Sequence, residues 1–148
     1  MNRIQPCVSD PDVISTPQFE VDAARNEWQK KPSGVHTVFA PLHYEPQYAY
    51  PLLIWLHGPG DNERQLMRVM PLISMRNYVA VAPRATLADE PDVPDSQTFR
   101  WSDMADDRVQ AEQHVFDCID VVRRKYHIEN QRIFIAGCQQ GGTMALRI

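Results

Sequence analysis

The sequence predicts an α/β fold, a mostly parallel sheet with flanking helices, and three observations predict it. From Gly34 onward, short apolar runs alternate with stretches of helical periodicity, the pattern of strand–helix–strand units. The runs at 52–56, 78–82 and 133–136 are continuously apolar, as in strands buried on both faces. Glycine clusters follow directly after two of them, at the carboxyl ends where open parallel sheets bind ligands.

Taken in order, residues 1–34 read as a flexible N-terminal arm. Pro6, Pro11, Pro17 and Pro32 punctuate it, and only 21–29, anchored by Trp28, has helical character. The domain proper occupies 35–148. Its first strand is 35–40, β-branched and aromatic between Gly34 and Pro41, followed by the strand at 52–56. Residues 63–75 place Leu66, Val69, Met70 and Ile73 on one helical face, with Pro71 expected to kink or split the helix. After the strand at 78–82, residues 107–126 form the clearest helix. Ala111, Val115, Cys118, Ile119, Val122 and Tyr126 make its apolar face, and Gln113, Asp117, Asp120 and Arg124 its solvated one. The strand at 133–136 and a helical start at 143–148 complete the pattern.

Composition sets the outer bounds. The 148 residues are 43% hydrophobic, 23% charged and 9% aromatic, values that fit one globular domain and exclude disorder throughout. No segment recurs at a fixed period. The formal net charge is −4, and the one basic run, Arg123, Arg124 and Lys125, is diluted by Asp117 and Asp120. No nucleic-acid partner is expected. The longest apolar stretch, interrupted by Pro51, is far short of a membrane span. The first six residues lack a signal-peptide core, so the expected location is cytoplasmic.

The three cysteines, Cys7, Cys118 and Cys138, are scattered, with no C-x-x-C or H-x₃-H spacing. His114 and Cys118 stand four apart and share a helical face, but two ligands without a third do not hold a metal. No metal or cofactor is expected.

The chemistry concentrates in the two glycine clusters. The first is Leu56-His57-Gly58-Pro59-Gly60-Asp61-Asn62. The second, Gly137-Cys138-Gln139-Gln140-Gly141-Gly142, lies between a strand and a helical start, the order required for a nucleophile elbow, G-x-Nu-x-G. That strained turn needs small residues two before and two after its apex, and Gly137 and Gly141 flank Gln139 in this way. An amide has no deprotonatable nucleophile and cannot attack an ester carbonyl as serine does. Centring the elbow on Cys138 would put the bulky Gln140 where a small residue is needed, so Cys138 reads as a small filler at the strand end. Gly137 and Gly142 have the spacing of a phosphate-binding loop, but Thr143 stands where lysine is required. Neither cluster matches G-x-G-x-x-G.

His57-Gly58-Pro59-Gly60-Asp61, Trp101-Ser102-Asp103 and the second cluster together resemble the phospholipase/carboxylesterase family of α/β-hydrolases, which includes acyl-protein thioesterases and is close to the dienelactone hydrolases. That family's segments read L-H-G-x-G-D, an S-W-F-D-like aromatic stretch and G-F-S-Q-G-G, and their order and spacing match over 34–148. The resemblance implies an α/β-hydrolase-like sheet, cut after the elbow strand, and a small acyl-ester-like ligand.

It also implies where catalysis fails. The family's serine aligns with Gln139. The Gln140 N–H would be one oxyanion donor, but the second would come from Pro59, which has no N–H, and Gly60 could replace it only in a rearranged loop. The family's acid and histidine follow the elbow, and 140–148 holds neither Asp nor His. His57 is expected to brace its loop, and Asp61 and Asp103 to cap and orient theirs. The expected function is thus that of an esterase-like chain, a fragment or pseudoenzyme, not hydrolytically competent as it stands. Two alternatives stay open: a non-catalytic binding module using Gln139 as a polar contact, and an active esterase using Cys138 or completed by another chain or by residues beyond 148. An apolar elbow strand without a neighbour on one side implies self-association.

Overall fold

In a computed structural model that describes residues 34–92 and 97–148, the alternating pattern becomes a four-stranded sheet with helices on both faces. The strands are β1 (His36–Phe39), β2 (Tyr50–Leu56), β3 (Val79–Pro83) and β6 (Ile128–Gly137), in the order β1-β3-β2-β6. Between β3 and β6 a separate two-stranded ribbon forms from β4 (Leu87–Ala88) and β5 (Phe99–Arg100). The helices are α1 (Gln65–Ile73), α2 (Ala105–Lys125) and α3 (Gln140–Ala145).

β2 runs parallel to both neighbours, pairing Leu53 with Ala80 on one side and with Phe134 on the other. β1 runs antiparallel to β3, with Val38 opposite Val81. Strand alternation then sorts the side chains into two cores. Leu52, Ile54, Leu56, Val79 and Val81 face α2, where Ala111, Val115, Cys118 and Val122 are buried. Phe39, Leu53, Ala80 and Ala82 face α1 through Leu66 and Met70. A sheet covered on both faces is why its central strands read as unbroken apolar runs. In α2, Asp106 and Asp107 open the helix and Arg123, Arg124 and Lys125 close it, each complementing the helix dipole.

Four expectations need correction or refinement. Pro71 does not split α1: it lies in the last turn, and the helix closes normally with the Ser74 N–H donating to the Met70 carbonyl at 2.8 Å. β6 is longer than its apolar run, beginning at Ile128. The polar residues Glu129, Asn130, Gln131 and Arg132 are absorbed by a register irregularity, since Tyr50 pairs with Ile128 but Leu52 already pairs with Ile133. Nor is β6 buried on both faces. Among the described residues it stands at an edge of the sheet, and Phe134 is 48% exposed. Finally, Ile148 packs against the α2-side core, while Leu146 is exposed. The ribbon of β4 and β5 has no sequence periodicity to announce it, because two residues are too few to show one. Of the expected arm over 1–34, residues 1–33, with the helical patch at 21–29, lie outside the described residues.

Candidate functional site

The carboxyl ends of β2 and β6 lie side by side, with Trp55 opposite Ala136 and Leu56 opposite Gly137, and bring both glycine clusters to one edge. The chain leaves β6 through Cys138, whose N–H donates to the Leu56 carbonyl at 3.1 Å, and turns abruptly into α3. At the apex Gln139 has φ 50° and ψ −115°, a strained backbone for a residue with a side chain. Gly141 donates back to the Cys138 carbonyl at 2.9 Å and Thr143 to the Gln139 carbonyl at 3.0 Å, closing the turn.

The glycines are required by close approach. A Cβ on Gly137 would lie 2.4 Å from the Gly141 carbonyl carbon, and one on Gly141 would lie 2.2 Å from the Leu56 oxygen. Gly142 is less constrained, its added Cβ standing 3.1 Å from the Gly137 oxygen. Gln139 and Gln140 are both exposed. The Gln140 N–H lies in the first turn of α3, where backbone donors have no helical acceptor. Cys138 is half-buried, its Sγ 3.7 Å from the place a Cβ on Gly58 would take.

His57, fully buried at the end of β2, is held on every side. Its Nε2 accepts the Ala85 N–H at 3.1 Å. That bond fixes the tautomer, so Nδ1 carries the proton and donates to the Gly58 carbonyl at 2.7 Å. Burial pushes the ring's pKa below 6.5, more than the Gly58 bond and the nearby Asp61, Glu63 and Asp89 raise it. The His57 carbonyl accepts the Trp101 indole N–H at 2.9 Å, and the two rings lie 5.4 Å apart. With both ring nitrogens engaged, His57 has no free lone pair to take a proton from a nucleophile.

Beyond His57 the loop is organised by side chains. Gln65 accepts the Trp55 indole N–H at 2.7 Å and the Gly58 N–H at 3.4 Å, and donates to Asp61 at 2.9 Å. Asp61 also accepts the Asn62 N–H at 2.9 Å and pairs with Arg68. Its carbonyl accepts the Phe99 N–H at 2.8 Å, tying the loop to β5. Gly60 takes a φ of 71° in the open, and Pro59 is exposed beside it. Asp103 is exposed and pairs with Arg147. The Gly58 N–H is thus directed at Gln65, and Pro59 offers none.

All the sequence-derived positions of the two glycine clusters therefore meet at one sheet edge. Sequence reasoning missed the braces around them. Glu63, 3% exposed, forms a two-point pair with Arg84, both bonds at 2.7 Å. Burial pushes the Glu63 carboxyl up, but the Arg84 hydrogen bonds outweigh it and hold its pKa below 4.5. Trp101 was visible as part of a motif, but its indole bond to a backbone carbonyl in another cluster has no sequence signature. Away from the elbow, the pair His114 and Cys118 acquires a third neighbour, His36 on β1.

No protein-family model matches this chain, and no curated protein matches it either. Solved structures do. A phospholipase/carboxylesterase from Dyadobacter fermentans superposes with a TM-score of 0.54 at 18% identity, covering 77% of this chain and 52% of its own. A Bacillus cereus carboxylesterase gives 0.55 at 16% identity, covering 82% and 56%. A thermophilic esterase from Thermogutta terrifontis, solved with propionate bound, gives 0.54 at 17%, covering 74% and 38%. The chain spans about half the length of the first of these structures. What it shares with them is the fold: a mostly parallel α/β sheet with helices on both faces.

Proposed function

We propose that this chain is an esterase-like α/β-hydrolase domain, preceded by an arm over 1–34, in which the elbow is kept as a backbone scaffold while hydrolysis is lost. One observation carries the reading: Gln139 occupies the strained apex, φ 50° and ψ −115°, between two glycines that tolerate no Cβ. That is the conformation a nucleophile elbow imposes so that its apex side chain stands clear of the sheet. An amide there can donate and accept hydrogen bonds but cannot form an acyl-enzyme.

Three further features support loss of hydrolysis. His57 spends both ring nitrogens on backbone partners. The Gly58 N–H points to Gln65, and Pro59 has no N–H, which leaves the Gln140 N–H as the one oxyanion donor of the pair the family uses. Losing one donor typically costs about 10²–10³ in rate. The site residues are then Gln139 as a polar contact at the apex, the Gln140 N–H as an anion-facing donor, and the loop 57–61 as a wall. The ligand this reading expects is a small acyl-ester-like molecule that is held and not cleaved. No described helix is long and apolar enough to cross a membrane, and we read the chain as cytoplasmic.

The test is a short-chain chromogenic ester assay alongside labelling with a serine-directed fluorophosphonate. The reading expects neither turnover above background nor labelling. Saturable turnover abolished by Cys138→Ala would replace it with a cysteine hydrolase.

A further inference from the structure

We propose that His36, His114 and Cys118 form a transition-metal site of the zinc class, on β1 and α2, two elements that contribute nothing to the elbow. A ring nitrogen from each histidine and the Cys118 Sγ all lie within 4.8 Å of one another. Zinc bonds of about 2.0–2.1 Å to nitrogen and 2.3 Å to sulfur place tetrahedral ligand atoms about 3.3–3.6 Å apart. Binding requires the three atoms to close to that spacing, and His36 is the one of the three that is not fully buried.

The placement follows from the fold. His36 and Val38 point to the same side of β1, and Val38 packs against the α2-side core. Residues 114 and 118 are one helical turn apart on the buried face of α2. Sequence spacing showed two ligands. The sheet delivers the third from the far end of the domain.

An independent observation points to a ligand here. His114 is only 7% exposed, and its Nε2 is buried without a hydrogen-bond partner, a costly arrangement for a neutral imidazole. The ring is pressed so close to Gly34 that a Cβ on that residue would lie 2.1 Å from Nε2. The Gly34 carbonyl is engaged by His36, whose Nδ1 lies 3.3 Å from it. A metal-bound histidine commonly donates its second nitrogen to a backbone carbonyl in this way, leaving the first as the ligand.

Two imidazoles and one thiolate suit zinc(II). On binding, the Cys118 S–H bond is replaced by an S–metal bond and the proton leaves to solvent. Three protein ligands leave a fourth position for water. His114 also lines a cavity of about 450 Å³ together with Thr86, Val109, Gln110 and Gln113.

The experiment titrates the reduced 148-residue chain with Zn²⁺ and, as a spectroscopic probe, Co²⁺. The proposal expects one equivalent bound, a thiolate-to-cobalt charge-transfer band, and a raised melting temperature with Zn²⁺. The band must survive in Cys7→Ser/Cys138→Ser and vanish in Cys118→Ala. Because Cys118 is part of the core, His36→Ala provides a second test at a half-buried position, where affinity should fall by about 10–100-fold or more. Absence of binding, a band lost with Cys7 or Cys138, or unchanged affinity in His36→Ala would each overturn the proposal.

Discussion

Gly137 and Gly141 meet backbone to backbone, with a Cβ on Gly137 falling 2.4 Å from the Gly141 carbonyl carbon. The contact joins the end of β6 to the first turn of α3 and sets how sharply the chain turns at Gln139. Gly141 is equally tight against β2, 2.2 Å from added Cβ to the Leu56 oxygen. Backbone atoms on both sides cannot rotate aside as side chains do. Gly141→Ala is therefore expected to destabilise the domain by about 3 kcal/mol or more, at or beyond the upper end of overpacking costs. Gly142→Ala, whose added Cβ meets one oxygen at 3.1 Å, should cost clearly less. Urea unfolding of the two variants checks the order.

The strain at Gln139 predicts a gain. A residue with a side chain held at φ 50° and ψ −115° costs of order 1–3 kcal/mol, which glycine avoids. Glycine gives back part of that through its freer unfolded chain. Gln139→Gly should be more stable than the parent by about 1 kcal/mol, and Gln139→Ala should not. If both variants matched the parent, the apex would not be strained.

Much of this architecture was legible in the sequence because its causes are local or periodic. β2 and β3 are central and covered on both faces, with Leu52, Ile54, Val79 and Val81 on one and Leu53 and Ala80 on the other, so they appear as apolar runs. The buried face of α2 repeats at helical spacing, and the elbow is marked by Gly137 and Gly141. What escaped depends on residues far apart in the chain. Glu63 finds Arg84, Trp101 finds the His57 carbonyl, and His36 comes to His114 through the antiparallel pairing of β1 with β3. The edge position of β6 also escaped. Its apolar residues resemble those of a central strand, and only strand order shows that Phe134 is exposed.

Acid should weaken the fold in a defined window. His57 and His114 both have pKa values pushed below 6.5 by burial. The unfolded chain binds those protons at a pH where the folded chain does not, so stability is full above about pH 6.5 and declines as pH falls below it. Glu63, held below 4.5 by Arg84, contributes stability that begins to fade as pH falls under that value. Unfolding of chelator-treated protein should show net proton uptake between about pH 7 and pH 5. Stability independent of pH across that range would show that both histidines titrate normally.

The exposed edge of β6 predicts association. Among the described residues β6 pairs with β2 alone, and Phe134 stands 48% exposed on it. An apolar unpaired edge recruits another strand, and an edge lysine discourages it. The parent chain should self-associate in sedimentation or light scattering, and Phe134→Lys should shift it toward monomer. A monodisperse parent monomer would contradict this.

The central claim is that the elbow survives as geometry without the chemistry around it. The most direct measurement is ester turnover by Gln139→Ser, which puts a hydroxyl at the strained apex and changes nothing else. With His57 committed to Gly58 and Ala85, the serine stays protonated, and the account predicts no turnover above that of the parent. Saturable turnover in Gln139→Ser that disappears on adding His57→Gln would contradict it, revealing a working base where the structure shows only a brace.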